Sequence, residues 1–296
     1  MLARTMVLIV AAVFIPALRS EPGAAIVAAL SGDATETDGK GHSQTAHLFD
    51  WLGSGTVLET TTGGRLVIAF ADGKRFELAG AAKVTIGAAG LKDESGMVRA
   101  LDPLPPLPRL AAIANQAHAS TKSGAIRVRG QGTIQGLYPR EGFSALPDGT
   151  VLRFAASPEA ASYKIDLEDD TGRSVFQIQT TSTEVTVPPG TLQAGVHYYW
   201  QVRGIGVLGI SVKGEAEFTT LASEDISRRA TFRAALSGSD ADTMTTRAAV
   251  DLQLGLLNDA RDELRLALAG SSRPGPIQQQ LIAVQQQLEG LENTTR

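Results

Sequence analysis

Asp166, Glu168, Asp169 and Asp170 place four carboxylates within five positions, the densest cluster of hard oxygen ligands in the chain. Calcium is the chemistry such a cluster suggests. An EF-type loop counted from Asp166 needs glycine at its sixth position and a bidentate glutamate at its twelfth, whereas Gly172 falls seventh and Gln177 twelfth. The cluster is therefore read as a tight, solvated hairpin. His42, His47 and Asp50 share one polar loop, but their spacing matches no ordered metal-ligand pattern. His118 falls in a proline-rich spacer, and His197 alternates out of step with Tyr198 and Trp200, which directs it to solvent.

Gly204, Gly206 and Gly209 satisfy GxGxxG, but phosphate binding by that motif requires a helix N-terminus immediately after it. Here the following SVKGEAEF continues in strand-like alternation, so a hairpin loop is expected. No GxSxG, SxxK or HExxH motif occurs, and nucleophilic or metallohydrolase chemistry has no foothold. The absence of cysteine removes thiolate zinc sites and disulfides together. The expectation is a protein that is not an enzyme, without cofactor or metal. What remains is binding. Trp51 is a candidate glycan platform, although its neighbours Leu48 and Phe49 make buried packing the commoner role, and Asp72 and Gly73 sit at the tip of a hairpin.

The element that positions Asp72 and Gly73 follows from parity. Leu66, Ile68 and Phe70 alternate into the turn, Phe76 and Leu78 alternate out of it, and a single buried face requires the two sets to coincide. A two-residue turn would split them. A three-residue loop, Ala71-Asp72-Gly73, pairs Ile68 with Phe76 and Leu66 with Leu78 and lets Gly73 take a left-handed conformation.

Around this hairpin, residues 21–97 read as short strands between glycine-rich turns, a small antiparallel β-domain. The order of an opening strand ending in Ser31-Gly32-Asp33, then LGSGTVLET, GGRLVIAFADGK and AKVTI resembles the FecR-type periplasmic domain of bacteria. That resemblance covers about a quarter of the chain. It implies a periplasmic setting and, for the family, signalling to a cytoplasmic sigma factor. Residues 98–125 begin DPLPPLPR, with Pro103, Pro105, Pro106 and Pro108 expected to form an extended, semi-rigid spacer, followed by a short helix over 110–119.

Residues 126–221 show strict period-2 patterning in Leu152-Phe154-Ala156, Tyr163-Ile165-Leu167, Val185-Val187, Tyr198-Trp200-Val202 and Ala216-Phe218, with turn signals at regular intervals. A β-sandwich is expected. The run from Ala161, with YYWQV following a Pro-Gly turn, resembles bacterial fibronectin type III-like domains. Helices take over in residues 222–296. Ala260, Leu264 and Ala267 share one helical face, Gly255 marks a close approach of two helices, and Pro274 follows the second. This segment resembles one tetratricopeptide-type helical hairpin, with Asp251 where that family prefers an aromatic residue. A stripe of Ile277, Leu281, Val284, Leu288 and Leu291 then closes either a small bundle with residues 226–236 or an interface with a second copy.

The fold class expected is thus mainly β with an α-helical C-terminus. Residues 1–20 carry one early arginine and an apolar run from Met6 to Leu18, a secretory signal or short anchor that directs the protein to the periplasm or outside the cell. A formal net charge of −4 and a pI near 5.6 lack the basic footprint of a nucleic-acid binder. The resulting expectation is an exported envelope scaffold that binds an envelope protein or cell-wall glycan. A FecR-like regulator acting with a membrane partner is the alternative, because few residues precede the apolar run. Asn293-Thr294-Thr295 is a glycosylation sequon of consequence only in a eukaryotic secretory route.

Overall fold

Alternating apolar runs broken by glycine turns give the chain a mainly β architecture with an α-helical C-terminus. The computed structural model describes residues 25–88, 90–105, 133–206, 211–272 and 274–289. The candidate export segment, His118, the helix expected over 110–119, Gly209, Leu291 and the sequon lie outside the described residues. No helix among the described residues is long and apolar enough to cross a membrane.

The first unit is an eight-stranded antiparallel sheet built from β1 (Ala25–Ser31), β2 (Ala34–Thr37), β3 (Ser43–Thr45), β4 (Trp51–Leu52), β5 (Val57–Thr60), β6 (Arg65–Phe70), β7 (Arg75–Ile86) and β8 (Leu91–Leu101). Its order is β3-β2-β5-β7-β6-β1-β4, with β8 also pairing β7. The β6–β7 register pairs Leu66 with Leu78 and Ile68 with Phe76, as parity requires. The loop between them is Ala71-Asp72-Gly73: Phe70 N–H donates to Lys74 O (2.8 Å), and Gly73 adopts φ +89°. Two expectations need correction. The strand anticipated after the hairpin is the continuation of β7, which bends at Gly80 (φ +65°) and pairs first with β6 and then with β5. The sheet is also buried on both faces of β6. Leu66, Ile68 and Phe70 pack into one core with Leu58, Leu78 and Val84, while Val67 and Ala69 meet Ile26, Ala28 and a C-terminal helix on the other side.

The second unit comprises β9 (Ser144–Ala145), β10 (Val151–Arg153), β11 (Ser162–Asp169), β12 (Ser174–Thr180), β13 (Glu184–Thr186), β14 (His197–Ile205) and β15 (Ser211–Thr220). A five-stranded sheet, β12-β11-β14-β15-β9, faces the β10–β13 pair. Tyr163, Ile165, Leu167, Tyr198, Trp200, Val202 and Phe218 from the larger sheet meet Leu152, Val185 and Val187 in one core. The alternation read from the sequence is the buried face, except that Ala156 is exposed.

Four helices follow: α1 (Ser223–Ala235), α2 (Ala241–Gln253), α3 (Leu257–Gly270) and α4 (Gly275–Glu289). Asp240 caps α2 by accepting from Thr243 N–H (2.9 Å), which satisfies one of the helix's unpaired first-turn donors. Gly255 (φ +74°) turns the chain between α2 and α3. Its close neighbour is the backbone of Ser144, at 2.9 Å from where a Cβ would stand, so the approach there is helix turn to sandwich, not helix to helix. Ile277, Leu281, Val284 and Leu288 of α4 pack on Ala248, Leu257, Ala260 and Leu264 of α2 and α3. Leu48 from the first unit and Tyr138 from the segment leading into the second enter the same cluster.

Candidate functional site

The outer face of the five-stranded sheet carries a groove of about 990 Å³. Two strand registers build its floor. Glu168 of β11 lies beside Tyr199 of β14, which lies beside Glu217 of β15; two residues further along, Asp166, Gln201 and Glu215 form a parallel row. Since Tyr198, Trp200 and Val202 are the buried set, strand alternation turns Tyr199 and Gln201 outward. Tyr199 is 47% exposed, unusual for a large aromatic side chain in a sheet.

The groove's wall comes from residues 133–141, which leave the sheet and return. Thr133 bridges Lys213 in parallel, with Ile134 N–H donating to Lys213 O (3.0 Å). The chain then swings to the opposite sheet, where Tyr138 and Arg153 exchange both backbone hydrogen bonds (2.9 and 2.7 Å), through a cis Tyr138–Pro139 peptide bond. It rejoins β15 only as β9, at Thr219 and Thr220. Trp200 Nε1–H donates to Pro139 O (2.8 Å) and pins this excursion to the core. Arg140 crosses the wall: one Nη donates to Leu137 O (3.1 Å), the other to Gln287 O near the C-terminus of α4 (2.7 Å), and the guanidinium lies over the Phe143 ring at 5.0 Å. Burial lowers its pKa from the usual arginine value, although the helix-end carbonyl suits a cation there.

Five carboxylates, Glu141, Asp166, Glu168, Glu215 and Glu217, line the groove against the single guanidinium of Arg140. Glu215 also pairs with Lys213 of its own strand, so the groove is acidic with one of its carboxylates already partnered by a cation. Asp166 accepts from Ser174 Oγ (2.6 Å) and Gln177 Nε2 (2.9 Å). Glu217 stands 3.6 Å from His197 Nε2, whose ring meets Tyr199 edge-on at 4.6 Å. His197 thus lies on the outer face, as its alternation indicates, within this cluster. The arrangement suits recognition of cationic and hydrogen-bonding groups beside an aromatic ring.

The sequence-selected residues occupy other places. Asp169 is a turn former: its Oδ1 accepts from Thr171 N–H (3.0 Å), Thr171 Oγ and Arg173 N–H (3.1 Å), with the Thr171 hydroxyl bond foremost in holding its pKa low. His42 pairs with Asp38 (3.1 Å) and His47 with Asp50 (3.4 Å), so the loop histidines are separately engaged. Among the described residues no group of three or more His, Cys, Asp or Glu is arranged to hold a metal ion. Gly204 lies within β14, where a Cβ would meet Val212 and Ala160 at 2.5 and 2.7 Å; close packing, not phosphate, explains that glycine.

Trp51 is 38% exposed on β4, at the edge of the first sheet, and shares a face with Ile26 opposite it. Asp72 is exposed and tied to Lys74 by an ion pair (2.7 Å), which lowers its pKa. Gly73 is covered by the chain itself: Leu104 N–H donates to Gly73 O (2.8 Å), and a Cβ at Gly73 would stand 1.9 Å from Leu104 O. None of these three residues lines the groove. Sequence reasoning missed the groove as a site because it depends on the pairing of β11, β14 and β15, which brings together Glu168, Tyr199 and Glu217 from three separate runs. The available signal was the outward alternation of Tyr199 within YYWQV.

The fold and groove define a mainly β chain with a helical C-terminus and an acidic groove on the outer face of its second sheet. No protein-family model and no curated protein matches the chain. Among solved structures, CopC from Methylosinus trichosporium OB3b is similar to 27% of this chain and 81% of its own, at 28% identity and a TM-score of 0.21, too low to assign a fold or a function.

Proposed function

We propose that this chain is an exported, non-enzymatic scaffold of the bacterial cell envelope whose recognition surface is the groove beside Tyr199, and whose partner is an envelope protein or a cell-wall glycan. The observation that carries the reading is the groove itself. It is open, holds an exposed tyrosine between carboxylates on neighbouring strands, and rests on a sheet whose other face packs into the core through β11, β14 and β15. Surfaces of this kind bind without having to reorganise, and that preorganisation limits the entropic cost of association. The FecR-like strand order and the apolar run near the N-terminus supply the envelope setting. In-cell crosslinking followed by identification of captured proteins, together with calorimetric titration of soluble peptidoglycan fragments, tests the reading. Tyr199→Ala is expected to weaken whichever interaction is found by about tenfold, the scale of losing one aromatic contact. Capture and binding that are unchanged by the substitution, or absent altogether, overturn it.

A further inference from the structure

The edge of β15 has a gap in its pairing. On its outer side it meets Thr133 at Lys213 and β9 at Thr219 and Thr220, and no strand among the described residues pairs between those points. Ile134 N–H donates to Lys213 O and Leu221 N–H donates to Ala145 O, so odd-numbered residues direct their backbone groups to that side. Glu215 and Glu217 belong to this set. Both therefore present an N–H, a C=O and a carboxylate to the groove.

We propose that the groove takes an extended segment of a partner protein, carrying two cationic residues separated by one apolar residue, as a strand added to the open edge of β15. The inference rests on the groove being the recognition surface and names the chemistry of its partner. In an antiparallel addition, the residues opposite Glu217 and Glu215 exchange both backbone hydrogen bonds with them and project on the same face, with Cβ atoms about 4.5–5.5 Å away. Lysine or arginine at those two positions extends each row of the floor with a cation next to a carboxylate. Arg140 does not neutralise the rows, because its guanidinium is committed to Leu137 O and Gln287 O. Glu215 already pairs with Lys213 of its own strand, so a cation opposite Glu215 shares that carboxylate, whereas Glu217 stands beside His197, at 3.6 Å. The residue between the two cations turns to the inner side, toward Ala216, Trp200 and Leu137, an apolar part of the lining that suits an apolar side chain. Charge favours this segment over a neutral glycan, for which five carboxylates around one ring are an excess of acceptors.

The test uses the full chain and short synthetic peptides followed by fluorescence anisotropy. A peptide with a lysine–valine–lysine core is compared with one whose lysines are adjacent and with one N-methylated at both lysines, which keeps the charge but blocks strand pairing. The alternating peptide is expected to bind at least about tenfold more tightly than either control and to weaken as salt is added. Glu215→Lys combined with Glu217→Lys is expected to cost a similar factor, with far-UV circular dichroism checking the fold; the peptide controls stand whether or not that variant folds. Equal affinity for the three peptides overturns the inference. Binding of soluble glycan fragments without binding of any peptide also overturns it while leaving the scaffold reading intact, and binding of neither, with no envelope protein captured by crosslinking through the groove, overturns both.

Discussion

At the scale of single residues, the buried charges are the most consequential. Asp251, placed by its sequence where a helical-repeat family prefers an aromatic, has 0% exposure and accepts from Arg229 Nε (2.6 Å) and Arg233 Nη2 (2.7 Å) of α1. Arg229 also reaches Asp259 (2.6 Å), and Arg233 reaches Glu263 (2.7 Å), so α1 is fastened by paired guanidiniums as well as by the buried Phe232. Asp251→Ala leaves two guanidiniums short of their common partner and is expected to destabilise the protein by about 3–5 kcal/mol, measured by urea denaturation. Glu36 shows the opposite economy. Its Oε1 accepts from Gln44, its buried Oε2 has no partner among the described residues, and desolvation raises its pKa above the ordinary 4.5. Folding thus favours the protonated acid. The stability this contributes is complete below about pH 4.5 and is lost as pH rises through the raised value. Glu36→Gln is expected to raise the melting temperature at neutral pH, with the difference closing as the pH falls below 4.5; a constant offset across the range would contradict this.

At the scale of elements, the hairpin register was legible because only one loop length lets the apolar sets of Leu66–Phe70 and Phe76–Leu78 meet. The sandwich was legible for the same reason. What period-2 reading could not supply was continuity and pairing across distance: Gly80 reads as a terminator but bends a twelve-residue strand, and β12 carries Phe176 and Ile178 at an edge where burial is incomplete. The candidate site fell into this gap, since its rows exist only once β11, β14 and β15 are in register. Gly73 illustrates an element held by a later one. It combines a left-handed φ with contact from Leu104, whose side chain enters a cluster with Phe232, Leu236 and Val250. Gly73→Val adds backbone strain and expels Leu104 from its seat. The expected loss is at least about 1–2 kcal/mol, with faster amide exchange at the end of β8 and in α1. Unchanged exchange in α1 would mean that Leu104 does not couple the hairpin to that helix.

At the scale of the whole molecule, both β units are held by a shared helical end. Leu48 inserts among Ala248, Leu257 and Leu281, and its carbonyl accepts from Gln280 Nε2 (2.6 Å). Phe49 beside it is held at φ +72°, a conformation that costs a bulky residue about 1–3 kcal/mol and persists only where surroundings enforce it. Arg65 of β6 bridges Glu77 and Asp242 of α2. From the other side, the buried Tyr138 hydroxyl accepts from Leu257 N–H (3.1 Å), and Arg140 seats on the end of α4. Periodicity within each segment could not show this, because the contacts that reach the helices all span more than a hundred residues. The helices therefore fix the acidic groove at a set distance from the first sheet. Leu48→Ala removes a buried leucine whose loss costs about 2–5 kcal/mol. If the units share stability, hydrogen exchange in α3 and α4 accelerates together with exchange in β1, although the substitution lies in the first unit. If they are independent, the loss stays within residues 25–101 and the helices keep their protection.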